Sequence, residues 1–214
     1  MKKFLSITLF AILISGYAIG QNLERLNPLP SYWSYTYDIS VPLGETADFV
    51  SAASFRGFSI EGRSFIKSNL SIGGSIGWHV FYEEVRDEVI NFSLNTDEQV
   101  ISGAVSGVQY RYINAFPILF NADYYFGDIN TDEIIPFVGL GAGTSIVSRR
   151  LELGIVGLTE TSWRLAVSPE LGATFKVGPR NHLIVSGQYM YNFKNDPEPS
   201  TSYLSFGIGF TSYF

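Results

Sequence analysis

The stretch Tyr203-Leu-Ser-Phe-Gly-Ile-Gly-Phe-Thr-Ser-Tyr-Phe214 stands at the C-terminal end of the sequence, and its alternation decides the fold. Leu204, Phe206, Ile208 and Phe210 occupy every second position, and Phe214 keeps the same parity. Ser205, Gly207, Gly209 and Thr211 lie between them. A period of two is a β-strand with one apolar and one polar face. A soluble domain rarely ends on an aromatic residue of such a strand, because its termini fray.

The same alternation recurs back along the chain. In residues 163–177 the odd positions are Trp163, Leu165, Val167, Pro169, Leu171, Ala173, Phe175 and Val177. The even positions include Arg164, Glu170 and Lys176 beside Ala166, Ser168, Gly172 and Thr174. A soluble barrel would turn the apolar face inward. Its outside would then be small and poor in charge for a surface in water. A membrane barrel turns the pattern inside out and puts the charges in its lumen. Further strands read at 182–193, 134–148, 108–126, 68–83, 49–63 and 31–41. In 108–126, Tyr110, Tyr112, Phe116, Ile118, Phe120, Tyr124 and Phe126 oppose Arg111, Asn121 and Asp123. In 31–41, Trp33, Tyr35, Tyr37, Ile39 and Val41 oppose Asp38. Residues 49–63 alternate least well, because Arg56 shares the parity of Phe58 and Ile60, so a bulge or a strand top beyond the lipid is expected there. With 203–214 these make an all-β protein, an eight-stranded antiparallel up-and-down transmembrane β-barrel.

The links sort into two classes. Short ones fall at about 61–67, 127–133 and 178–181, and longer ones at 42–48, 84–107, 149–161 and 194–201. Short turns on one side and long loops on the other are the asymmetry of an outer-membrane barrel. At the other terminus, Lys2 and Lys3 precede the apolar run 4–14, and small residues at Ala18 and Gly20 precede Gln21. That is a secretory signal peptide, too short for the ~20 apolar residues of a spanning helix. The expected organisation is a signal peptide at 1–20, a short lead-in at 21–30 and the barrel at 31–214.

Composition excludes several classes. Fourteen Lys and Arg face twenty Asp and Glu, a net charge of −6. Without Lys2 and Lys3 the balance is −8. An acidic chain does not suit nucleic acid, which asks for a basic patch. Zero Cys excludes disulfides and thiolate metal sites. Aromatic residues, 15% of the chain, gather near the ends of the strands and suit the two headgroup girdles of a membrane barrel.

Pro42-Leu-Gly-Glu45, Ser54-Phe-Arg-Gly-Phe58 and Leu70-Ser-Ile-Gly-Gly-Ser-Ile-Gly-Trp78 carry a resemblance, as do residues 117–127 and 136–143. The chain resembles the small outer-membrane β-barrel domain of Bacteroidetes-type bacteria, distantly akin to OmpA/OmpX-type barrels. That resemblance implies a Gram-negative outer membrane, periplasmic termini, contact with outer-membrane lipids and lipopolysaccharide, and a monomer. It also implies that the barrel assembly machinery reads terminal Phe214, with Phe210 behind it. Ser212 departs from that signal, which usually carries an apolar residue there.

Candidate chemistry is sparse. Gly139, Gly141 and Gly143 lack the strand–turn–helix context of a phosphate loop and are read as room in the lumen. The inward charged set is Asp38, Glu61, Arg63, Arg111, Asp123, Arg164, Glu170 and Lys176. An eight-stranded barrel is barely wider than its own side chains, and buried charges must pair. A salt-bridged plug is therefore expected, with a narrow water-filled path along the same charges as the alternative. His79 beside Ser75 and Glu83 is the single constellation for serine hydrolysis, and no His-x-Ser spacing follows it. His182, at a turn, is read as solvated. Two separated histidines give no zinc site. No catalytic residue, metal or cofactor is assigned. Residues 84–107, with Asp87, Glu88, Asp97 and Glu98, are read as the longest outer loop and an acidic solvated face. The leading expectation is a structural or surface-interaction barrel acting through its outer loops on an unidentified ligand. A narrow pore comes second and an outer-membrane lipid-modifying enzyme third.

Overall fold

A computed structural model describes residues 29–95, 100–129, 131–153, 156–195 and 198–214. The expected signal peptide at 1–20 and residues 21–28 of the lead-in lie outside them. Eight strands follow in order: β1 Ser31–Leu43, β2 Ser54–Lys67, β3 Leu70–Asn95, β4 Val100–Tyr125, β5 Ile134–Leu153, β6 Val156–Lys176, β7 Asn181–Asn192 and β8 Thr201–Tyr213. Each pairs antiparallel with the next, and the ring closes as β8 pairs with β1. The closing register runs from Tyr32↔Tyr213 to Leu43↔Ser202. Phe214 completes it by exchanging backbone hydrogen bonds with Ser31 at 2.8 and 3.1 Å.

The polarity is inside out. Trp33, Tyr35, Tyr37, Trp78, Ile118, Phe120, Leu140, Leu165 and Phe210 are all exposed on the outer face, Leu165 to 72%. Asp38, Glu61, Arg63, Asp123, Arg164 and Glu170 are buried inside. On β5 the apolar outer face runs from Ile134 to Ile146 and turns polar at Ser148. Such a run, tilted by ~40°, stands ~30 Å tall, enough for a bilayer core.

The bulge expected near Arg56 is present. The β1–β2 register shifts between Asp38↔Gly57 and Ser40↔Ser54, which leaves Phe55 and Arg56 both facing outward. Two corrections concern the links. The strand expected at 49–63 begins only at Ser54. Before it, Gly44 adopts φ 51°, and a helical turn, α1 Glu45–Phe49, forms with Ala47 and Asp48 donating to the Gly44 carbonyl. A positive φ suits glycine, which has no Cβ to clash. The expected outer loop 84–107 is instead mostly strand, paired from Glu88↔Gly107 to Asn95↔Val100. Likewise β5 and β6 continue to Leu153↔Val156 in place of a loop at 149–161. Acidic residues suggested loops, but Val, Ile and Phe between them favour strand, and the hairpin partner is adjacent. Asp97 and Glu98 lie outside the described residues, as do the side chains of Asp87 and Glu88.

The rim is uneven. β2 leaves β3 at Gly57↔His79, and β7 leaves β6 at Ala166↔Asn192. Beyond those levels β3 to β6 continue without β2 and β7 beside them.

Inward glycines let the backbones pack closely. A Cβ at Gly209 would sit 2.8 Å from Thr36 Cα and closer still to the Tyr35 carbonyl oxygen. At Gly73 it would sit 2.9 Å from Arg63 Cα and run into the Gly62 carbonyl. Backbone cannot swing aside as a side chain can. Gly209→Ala and Gly73→Ala should therefore each lower stability by about 1–3 kcal/mol. Outward Gly187→Ala, whose Cβ would meet nothing nearer than 3.9 Å, should be neutral. Urea titration of tryptophan fluorescence in micelles checks all three.

Candidate functional site: the lumen and its mouth

The lumen is layered. At the end bearing the termini, Tyr32, Phe65, Tyr125, Ile129, Ile135, Phe137, Ile184 and Tyr213 form one apolar cluster. The Tyr32 and Tyr125 hydroxyls meet across it at 2.5 Å. Toward the loop end, Val50, Phe81, Ile113, Ala115, Leu119, Val147, Ala166, Met190 and Tyr203 form another. Apart from Val50 and Ile129, which lie on links, these residues share the inward parity with the charges, and each cluster draws on six strands.

Between the stoppers lies a charged knot. Arg63, 3% exposed, sits 2.9 Å from Glu61, 2.5 Å from Asp123 and 3.9 Å from Glu170. Ser71 also donates to Asp123 at 3.3 Å. Register explains the assembly. Asp123, Gly139 and Glu170 are direct neighbours across β4, β5 and β6. A side chain at Gly139 would strike the Asp123 carboxylate, so the missing Cβ makes room for it. Gly141 does the same for Asn121, whose amide donates to Ser75 at 2.7 Å. Both glycines thus serve as room in the lumen.

The eight inward charges are not one network. Asp38 accepts from Ser59 at 2.5 Å. Arg164 pairs with Glu198 at the loop end and donates to the Pro199 carbonyl, to Thr201 at 3.2 Å and to Ser162 at 2.9 Å. Arg111 lies higher still, donating to the Phe49 carbonyl at 3.3 Å and to Gln109 at 3.1 Å. Lys176 lies opposite His182 near the termini.

The histidines differ from expectation. His79 does not meet Ser75 or Glu83. Its Nδ1 lies 3.1 Å from Ser40 Oγ, which lies 3.0 Å from Ser205 Oγ, and its ring packs on Tyr203. Glu83 instead accepts from the backbone N–H and hydroxyl of Ser51 at 2.6 and 2.8 Å. His182 is buried against Tyr213 rather than solvated. Period-two reading gives the face of a residue, not which distant strand stands opposite. Among the described residues no cluster of three or more His, Asp or Glu is arranged to hold a metal.

The loop end is tied by its links. Ser200 donates its N–H and hydroxyl to Glu45 at 2.7 and 2.5 Å. Arg149 donates to the Ser200 carbonyl at 2.8 Å and to Thr201 at 3.0 Å. Phe49 of α1 lies between two guanidiniums, 5.7 Å from that of Arg111 and 5.9 Å from that of Arg149. An open cleft of 450 Å³ lies here, with Glu45, Asp48, Phe49, Gln109, Arg111 and Arg149 in its walls.

No family model and no curated protein matches the chain. Solved structures do. Ail, the attachment invasion locus protein of Yersinia pestis, solved with the heparin analogue sucrose octasulfate, is 12% identical, with a TM-score of 0.51 over 87% of this chain and 99% of that one. Neisserial surface protein A is 13% identical, with a TM-score of 0.53 over 87% and 97%. OprG from Pseudomonas aeruginosa is 12% identical, with a TM-score of 0.53 over 87% and 96%. These are small eight-stranded outer-membrane barrels, and at such identity the likeness establishes the fold.

Two outcomes follow. Arg63→Ala leaves three buried carboxylates without their guanidinium and should cost about 3–5 kcal/mol, whereas Arg150→Ala, removing an exposed pair with Glu152, should cost under about 1 kcal/mol. Urea titration in micelles separates the two. The second concerns acid. Ser200 hydrogen bonds hold Glu45 below its ordinary value. Burial raises Glu198, but hydrogen bonds from Ser162 and Arg164 and the nearby arginine charges outweigh it, so it too lies below 4.5. Both contribute fully above the ordinary value and lose that contribution as pH falls through the folded one. Amide exchange at 198–202, relative to its intrinsic rate, should rise below about pH 4.5, and Glu45→Gln should flatten that rise.

Proposed function

We propose that this chain is an integral protein of the Gram-negative outer membrane with a closed, salt-bridged lumen, serving a structural or surface-interaction role through its outer face. The observation that supports this reading is the layering of the interior: the Arg63 knot lies between two mainly apolar clusters. A conducting path must be wet throughout, and both clusters present mainly apolar side chains to the lumen, with tyrosine hydroxyls as their polar groups. The apolar outer band and the likeness to three outer-membrane barrels support the location.

In this reading outer-membrane lipids and lipopolysaccharide surround the band, the protein is a monomer, and its termini are periplasmic. Phe210 and Phe214, both exposed on the outer face of β8, are available to the assembly machinery. The protein is not an enzyme. His79 is 1% exposed and bound to serines within the lumen, out of reach of a lipid substrate.

Refolded protein, proven closed by a heat-modifiable gel shift, should show no discrete conductance steps in planar bilayers. Reproducible steps would overturn the closed lumen and make the narrow pore the better reading.

A further inference from the structure

We propose that the loop-end cleft binds a small organic monoanion, its carboxylate held by Gln109 and Arg149 and its apolar body resting on Phe49, Leu151 and Pro199. The inference deepens the surface-interaction reading and rests on it only in taking the loop end as open to water.

The donors carry the argument. Gln109 is 1% exposed and lines the cleft. Its Oε1 accepts from Arg111 Nη2 at 3.1 Å, which fixes the amide orientation and leaves Nε2 as the free end. Among the described residues Nε2 has no acceptor. Arg149 is half-buried; among the described residues its hydrogen bonds go to neutral acceptors, the Ser200 carbonyl and the Thr201 hydroxyl, while Glu45, Glu160 and Glu198 act on it at longer range. Its Nε is also without an acceptor among the described residues. A donor buried unsatisfied is destabilising, more so when charged, and an incoming acceptor recovers that loss. A carboxylate fits two such donors, because it accepts several hydrogen bonds and a fork from Arg.

The rest of the wall sets the ligand's body and charge. Phe49, Leu151 and Pro199 offer apolar surface, and the volume of 450 Å³ matches a small-molecule site. Glu45 and Asp48 share the same cleft. Their charge disfavours a dianion such as phosphate, so a single negative charge on an apolar frame is selected.

The test uses the refolded barrel in micelles and 4-fluorophenylacetate as probe, read by fluorine NMR. Saturable binding is expected, weakened at least tenfold in Arg149→Gln and in Gln109→Leu, and at least tenfold for the neutral 4-fluorophenylacetamide. Variants are compared only where the heat-modifiable shift shows a formed barrel, and either one suffices if the other fails to fold. Absence of saturable binding would overturn the proposal, as would equal binding of the amide, or binding unchanged in the folded variants. Inorganic phosphate displacing the probe at equal concentration would overturn the organic-anion assignment. Conductance of the same preparation keeps the two readings apart: a silent barrel without probe binding loses the ligand but keeps the closed lumen.

Discussion

Backbone pairing between β1 and β8 is the interaction on which everything else depends. Hydrocarbon offers no hydrogen-bond partner to an open sheet edge, so a sheet in a bilayer must close or pay several kcal/mol per group. The Tyr32↔Tyr213 to Leu43↔Ser202 register closes it, and the Ser31–Phe214 exchange finishes the seam. Closure fixes the parity of all eight strands at once. Each side chain then faces either lipid or lumen, with no third choice. The register also sets the height at which inward residues meet, which is why Asp123, Gly139 and Glu170 share one level.

The interior that results is stratified rather than uniformly polar. One guanidinium serves three carboxylates in the Arg63 knot, and apolar side chains close over it from both ends. Burial strengthens each attraction in the knot and makes each missing partner costly. Such an arrangement favours a single register, because slipping any strand by one residue would turn its charges toward lipid. The links at the loop end work differently. The Glu45 and Arg149 bonds lie nearer water, where each is worth less and exchange is easier, while buried Arg164 holds Glu198 from beneath.

Much of this was legible in the sequence, and the limits have physical causes. Alternation at Leu204, Phe206, Ile208 and Phe210 marks both the strand and its lipid face, and the parity fault at Arg56 marks the bulge. Asp38, Glu61, Arg63, Asp123, Arg164 and Glu170 are buried within the ring. What alternation cannot express is height and opposite number. Arg63 and Arg164 look alike along the chain, yet one sits in the knot and the other clasps Glu198 at the rim. His79 on β3 meets Ser40 on β1, 39 residues back and two strands around the ring, and not its neighbour Ser75. The stoppers were missed because Phe81, Ile113, Tyr203 and Tyr125 sit among polar inward positions, and a rule of polar interiors has no place for them. The long hairpins were missed because acidic content suggested loops, whereas strand pairing in water tolerates charge.

The uneven rim gives the molecule a front and a back. A smooth cylinder would look the same from every azimuth in the membrane plane. Here β3 to β6 rise past the levels of His79 and Ala166 while β2 and β7 stop beside them. The cleft between α1 and the upper parts of β4 and β5 opens at the foot of that wall. Anything descending on this end meets a parapet on one side and free passage on the other. Wall height therefore changes around the barrel, and rotation about the membrane normal gives the molecule distinguishable orientations.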